Sequence, residues 1–281
     1  MIKGEKNLTV GIVGLGLIGG SFGRAILQKT PHRVFGCARS AEAVNAAIVA
    51  GAVTGELTDA VLPKLDLLIF AVNPRMVERI LPGYLPLLKD GCIVTDVSGT
   101  KRGIVSVMRT AAEQYPKLRF IGAHPMAGKE LSGFAHSTAT LFENASVLLV
   151  PVNADDAAVS ALTKLFFELG FKNCKVTTAE EHDKIIAYTS QACHVISSAY
   201  CQNSLYPLRE GFTAGSFRDL TRVARLDADM WTELFMDNAD NLTAVLDEFT
   251  AQVSELRNAI AARNERKVHD ILAAGNERKK S

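Results

Sequence analysis

Leu8-Thr9-Val10-Gly11-Ile12-Val13-Gly14-Leu15-Gly16-Leu17-Ile18-Gly19-Gly20-Ser21 is the stretch whose reading decides the fold. A short apolar strand runs straight into three spaced glycines, and a helical pattern follows from about Phe22. In a G-x-G-x-x-G turn placed between strand and helix, each glycine has a mechanical task. Gly14 permits the tight turn, Gly16 removes a Cβ so that a pyrophosphate can approach the backbone, and Gly19 lets the helix pack on the strand. The amides of Leu17 and Ile18 then sit at a helix N-terminus, where the dipole favours anions. The motif alone also fits an ordinary glycine turn; its place in a strand–helix–strand unit favours dinucleotide binding.

Outward from this turn, apolar β-branched runs at 8–13, 33–37, 66–72, 92–96, 118–122, 146–152 and 173–177 read as strands. Most are continuous rather than alternating, as strands covered on both faces are. Helical patterns such as 41–50 and 74–88 lie between them, giving the rhythm of a Rossmann-type, doubly wound parallel sheet over residues 1–177. Residues 178–281 read as an all-α domain without strands. There, 179 to about 204 reads as one long helix, and Pro207, Gly211 and Gly215 mark a break. Phe235, Ala239, Leu242, Leu246, Phe249, Val253, Leu256 and Ile260 then alternate spacings of four and three, the seam of a helix packed lengthwise on another. That seam reads either as an intrachain core or as a homodimer interface, and the small helical domain favours the dimer.

Composition narrows the class. The 281 residues suggest about two domains. With 31 Lys plus Arg against 30 Asp plus Glu, the formal charge of +1 gives no basic face for nucleic acid. The apolar run 67–72 is too short to span a bilayer, and the N-terminus lacks the apolar core of a secretory signal, so a cytoplasmic protein without membrane contact is expected. Five scattered cysteines lack a CxxC pair and six histidines lack metal spacing, so no metal site is expected.

The end of the second strand bears on which dinucleotide binds. An NAD-selective fold carries Asp or Glu there to accept from the ribose 2′-hydroxyl. This chain reads Val34-Phe35-Gly36-Cys37-Ala38-Arg39-Ser40, with no acid. Arg39 and Ser40 offer a guanidinium fork and a hydroxyl to a 2′-phosphate, so NADP is expected over NAD, the alternative being a merely solvated Arg39. Val72, closing the strand at 66–72, joins the cofactor-binding candidates.

After the strand at 118–122 comes Ala123-His124-Pro125-Met126-Ala127-Gly128-Lys129-Glu130. A histidine at a strand's carboxyl end, beside a nicotinamide site, is a candidate proton acceptor, its unperturbed pKa of about 6.5 suiting neutral operation. Taken with GLGLIGGS, with His182-Asp183, Thr189-Ser190 and His194, with the run Gly215-Ser216-Phe217-Arg218-Asp219-Leu220-Thr221-Arg222, and with Met230-Trp231, the sequence closely resembles the prephenate/arogenate dehydrogenase family of tyrosine biosynthesis over nearly its whole length. The resemblance implies oxidative decarboxylation of prephenate to 4-hydroxyphenylpyruvate, with hydride passing to NAD(P)+. It implies that His124 accepts the 4-hydroxyl proton and that Arg222 binds a substrate carboxylate. His182, His194 and Thr189 follow as pocket residues, and Lys129 and Glu130 as a gate whose other reading is an exposed ion pair. On a straight helix His182 and His194 lie about 120° apart, so both cannot face one small site.

Two departures from the family pattern stand out. Where relatives read DVGSTK, with the serine hydroxyl near the reacting centre, this chain reads Asp96-Val97-Ser98-Gly99-Thr100-Lys101. Gly99 takes the serine's place, so Ser98 or Thr100 supplies that hydroxyl or the contact is missing; Ser98 is the catalytic candidate. A pocket histidine after Thr-Ser is replaced by Gln191. Residues 264–281 leave no room for a regulatory or mutase domain. Arogenate dehydrogenase is the near alternative. A β-hydroxyacid dehydrogenase normally uses a helix lysine instead of His124, and a silent NADP sensor is disfavoured by the retained His124 and Arg222.

Overall fold

The computed structural model describes residues 7–129 and 131–280, and these gather into two compact units. The first comprises 7–183 and 225–237, the second 184–224 and 238–280. In this grouping 225–237 returns to the first unit.

Among the described residues of the first unit, eight strands form one sheet: β1 (Thr9–Val13), β2 (Arg33–Cys37), β3 (Gly55–Glu56), β4 (Leu67–Phe70), β5 (Ile93–Asp96), β6 (Arg119–Pro125), β7 (Ser146–Pro151) and β8 (Asn173–Val176). Their order is β3-β2-β1-β4-β5-β6-β7-β8. Neighbours pair in parallel except β6 with β7, where Ala123 faces Leu149 in antiparallel register. Among the described residues, the chain between these two carries a short helical turn at Phe134–His136 and no crossover helix. A reversal without a crossover helix yields an antiparallel neighbour. The two-residue β3 is too short for a hydrophobic pattern to reveal.

Helices α1 (Leu17–Lys29), α2 (Ala41–Val49), α3 (Pro74–Tyr84), α4 (Arg102–Gln114) and α5 (Asp156–Glu168) cover the sheet. Successive strand residues point to opposite faces. Leu67 and Ile69 accordingly join a core with α1, α2 and α5, while Leu68 and Phe70 join another with α3 and α4. That is why these strands read as unbroken apolar runs. Phe22 of α1 meets Phe142 at 4.3 Å between ring centroids, and Phe142 stacks on Phe171 at 4.9 Å. Full burial of one such side chain contributes about 1.5–3 kcal/mol.

Helix α6 (Ala179–Ile186) carries the chain out of the first unit, and α9 (Ala228–Asp237) is the segment that returns. The second unit contains a π turn at Ala187–Gln191, then α7 (Ala192–Cys201), α8 (Gly215–Thr221), α10 (Ala239–Ala261) and α11 (Glu265–Lys280). The expected single helix over 179–204 is therefore interrupted. A π turn holds more residues than an α turn, so the 3.6-residue spacing used to compare His182 with His194 does not carry across it. The apolar seam is split too. Phe235 lies in α9, and buried Asn238, whose amide donates to Gln191 Oε1 at 2.8 Å, separates it from α10. Within α10 Leu242 is buried, whereas Phe249, Val253 and Ile260 are 40%, 48% and 58% exposed.

Candidate active site

Parallel pairing of β1, β4, β5 and β6 brings the carboxyl ends of these strands to one edge of the sheet. The turn at Gly14, Val72, the loop 97–100 and His124 all stand at that edge, and the strand order reverses between β1 and β4. Ligands of open α/β sheets bind in such a crevice.

The glycine turn fits a dinucleotide phosphate. Gly14 has φ +98°, and a Cβ there would lie 2.5 Å from both the Ala71 carbonyl oxygen and Val72 Cγ1. A Cβ at Gly19 would fall 1.9 Å from the Gly14 oxygen, whereas one at Gly16 would meet nothing within 4 Å. The backbone at Gly16 thus faces open space, and no side chain caps the start of α1 at Leu17 and Ile18. Uncapped N–H groups at a helix start are the donors an anion needs. At the second strand Arg39 is exposed, and Ser40 caps α2 by accepting from Ala43 N–H at 3.3 Å.

His124, half-buried near the end of β6, meets His182 with 2.9 Å between Nδ1 and Nε2. His182 is buried, and its Nδ1 lies 2.7 Å from Asp183 Oδ1. Asp183 also accepts from the Lys101 N–H at 2.7 Å and the Arg102 N–H at 2.9 Å. Burial pushes the Asp183 carboxyl up, but these bonds outweigh it and hold the group below its ordinary value. The ionised carboxylate accepts a hydrogen bond from the Nδ1–H of His182, which makes His182 Nε2 an acceptor. Neutral His124 must therefore donate from Nδ1, leaving its Nε2 lone pair free to accept. Burial, His182 and Lys101 hold His124 well below the ordinary imidazole value, and burial likewise lowers His182. The fold therefore favours the uncharged form of His124.

The loop before α4 is fastened by buried charge. Asp96 Oδ2 accepts from Ser98 N–H at 2.8 Å and from Lys101 Nζ at 2.5 Å. The Ser98 hydroxyl is buried and makes no hydrogen bond among the described residues, so the structure does not bring it to His124. Gly99 is the position aimed at the imidazole. A Cβ there would stand 3.9 Å from His124 Nε2 and 3.3 Å from Leu234 of α9. Thr100 is buried.

Other expected residues are placed as follows. Lys129 is exposed and donates to the His136 carbonyl at 3.0 Å, while Glu130 lies outside the described residues. In the second unit, Thr189 donates back to the Ile185 carbonyl at 3.0 Å. His194 Nδ1 lies 3.0 Å from the Val223 carbonyl, tying α7 to the turn that carries Arg222. The arrangement thus brings His124 and His182 together, with Asp183 behind them, in the first unit; Arg222, His194 and Thr189 belong to the second. The roles of Asp183, Asp96 and Lys101 escaped the sequence reading. The signals were the His-Asp pair opening a helix and the two charges flanking a loop after an apolar strand.

Comparison with known proteins shows the family. A family model described as the nucleotide-binding domain of prephenate dehydrogenase matches residues 22–175, and one described as its dimerization domain matches 178–274. A cyclohexadienyl dehydrogenase of Zymomonas mobilis is 33% identical over 267 residues, covering 91% of this chain and 89% of the relative. A prephenate dehydrogenase of Bacillus subtilis is 31% identical over 264 residues, covering 90% of this chain and 70% of its own. The crystal structure of prephenate dehydrogenase from Aquifex aeolicus, complexed with hydroxyphenyl propionate and NAD+, shares the fold at TM-score 0.86 and 23% identity, over 99% of both chains.

Proposed function

The chain belongs to the prephenate dehydrogenase family, and from that premise we propose that it is the enzyme converting prephenate to 4-hydroxyphenylpyruvate and CO2. The observation that carries this reading is the forced tautomer of His124, whose Nε2 is an open acceptor at the ligand-binding edge. The glycine turn would hold NAD(P)+, which would supply the hydride acceptor when bound. As hydride leaves the ring carbon, positive charge builds there and the 4-hydroxyl must lose its proton to become a carbonyl. His124 Nε2 takes that proton. His182 and Asp183 keep the imidazole oriented and receive the hydrogen bond from its Nδ1. Arg222 binds a carboxylate of the substrate, and its planar fork can do so bidentately without losing charge.

Finer assignments belong to the same proposal. Arg39 and the Ser40 hydroxyl favour the 2′-phosphate of NADP over NAD, since no acid stands at the end of β2. The chain acts in the cytoplasm as a homodimer, which the exposed apolar side chains of α10 support. The test is turnover followed by the absorbance of reduced nicotinamide, offering prephenate and arogenate, each with NAD+ and NADP+. The reading expects the highest kcat/KM for prephenate with NADP+. Turnover of arogenate alone would move the substrate, a preference for NAD+ would remove the role of Arg39, and no turnover would overturn the function.

A further inference from the structure

A lysine inside a protein core needs a reason. Lys101 has no exposed surface, and its Nζ lies 2.5 Å from Oδ2 of the equally buried Asp96. An apolar pair of the same volume would often be as stable as a buried ion pair. Stability therefore does not explain this one, and its surroundings suggest what does.

The pair stands between the elements of the candidate site. Asp96 ends β5 and faces Gly122 of β6 in the sheet register. Gly122 lacks the Cβ that would stand 3.2 Å from the Lys101 side chain, so the aliphatic stem lies against the strand two residues before His124. Asp96 Oδ1 accepts from Ala123 N–H at 3.3 Å, and Oδ2 accepts from Ser98 N–H. The backbone N–H of Lys101 itself reaches Asp183, the carboxylate behind His182. One residue thus joins β5, β6, the loop aimed at His124 and the start of α6. The charged and titratable groups around the imidazoles are Lys101 and Asp96 from β5 and its loop, Asp183 and His182 from α6, and Arg102 on Asp183 from α4.

We propose that Lys101 is a positioning residue for the reaction: its buried ammonium locks the loop 97–100 to β6 and sets the electrostatic field in which His124 accepts a proton. The cation works with Asp96 to hold geometry and works against protonation of His124 when no substrate is present. A dianionic substrate brings the opposite field, so the base strengthens as the substrate arrives. Protonation is thereby matched to binding. The proposal rests on the dehydrogenase reading of His124.

Two variants and one spectrum test it. Lys101→Met removes the charge but leaves Asp96 unpaired, so Asp96→Asn with Lys101→Met is made alongside it to keep the core neutral. The acid limb of kcat/KM for prephenate, which reports the free enzyme, is expected to move to higher pH by roughly one unit. At alkaline pH the variants should recover much of their lost rate, which a purely structural loss would not allow. In the unmutated protein, the imidazole C–H resonance of His124, assigned by its loss in His124→Asn, should not titrate near 6.5, and in the double variant it should move toward that value. An unmoved acid limb in folded variants, or an ordinary titration of His124 in the unmutated protein, would overturn the proposal. Absence of turnover by the unmutated chain strikes the dehydrogenase reading instead, and the resonance still decides the role of Lys101.

Discussion

A proton arriving at His124 Nε2 is met from behind by an imidazole that already accepts from Nδ1 and leans on a carboxylate. On the proposal that Nε2 accepts the substrate proton, His124→Asn should lower kcat by about 10²–10⁴ with little change in cofactor affinity, checked by turnover and by cofactor titration. Arg222→Ala addresses a different step: it should raise KM for prephenate about tenfold or more while kcat falls less, as loss of a charged grip does. The two effects separate base from anchor. At this scale the placement of His124 was legible, because a histidine written just after an apolar run stands at the carboxyl end of that strand. Lys101 was not, since a lysine after a loop looks like any solvated cation until the strand with the glycine that accommodates it is seen. Ser98 is hidden for a related reason: hydroxyl chemistry can be read from sequence, but the direction of a side chain in a short loop cannot.

Helix α9 shows what an element contributes beyond its own residues. Glu233 Oε1 accepts the backbone N–H of Arg75 at 3.1 Å, in the first turn of α3, which has no capping side chain of its own. Leu234, its neighbour, covers Gly99. The returning segment therefore caps one helix of the first unit and covers the loop that faces His124. Glu233→Ala should cost about 0.5–2 kcal/mol, the usual worth of a cap, read as a lowered urea midpoint. Apart from the two-residue β3, the parallel strands were legible from apolar runs alone. The antiparallel β7, the π turn and the placement of α9 were not, because local hydrophobic period carries no record of chain direction or of which unit a helix joins.

For the whole molecule, the buried imidazoles make stability a function of pH. His124 and His182 are both held below the ordinary 6.5, so the fold favours their neutral forms. As pH falls below about 6.5 the unfolded chain takes up protons that the native state refuses. Stability is therefore complete above that value and declines below it, by up to about 1.4 kcal/mol per pH unit for each imidazole until its folded pKa is reached. Asp183, held below its usual value, adds its own loss only at much lower pH. Urea midpoints on both sides of 6.5 should show this slope, and His124→Asn should remove one imidazole's share. Midpoints that stay flat across the interval would refute the burial argument.

The return of 225–237 to the first unit also has a consequence for synthesis. A nascent chain emerging from the ribosome presents the whole sheet by residue 183, yet the segment that caps α3 and covers Gly99 follows more than forty residues later. The first unit must wait for much of its neighbour to be translated before it can close, so a chain cut after residue 183 is expected to lack the cap on α3 and the cover over Gly99.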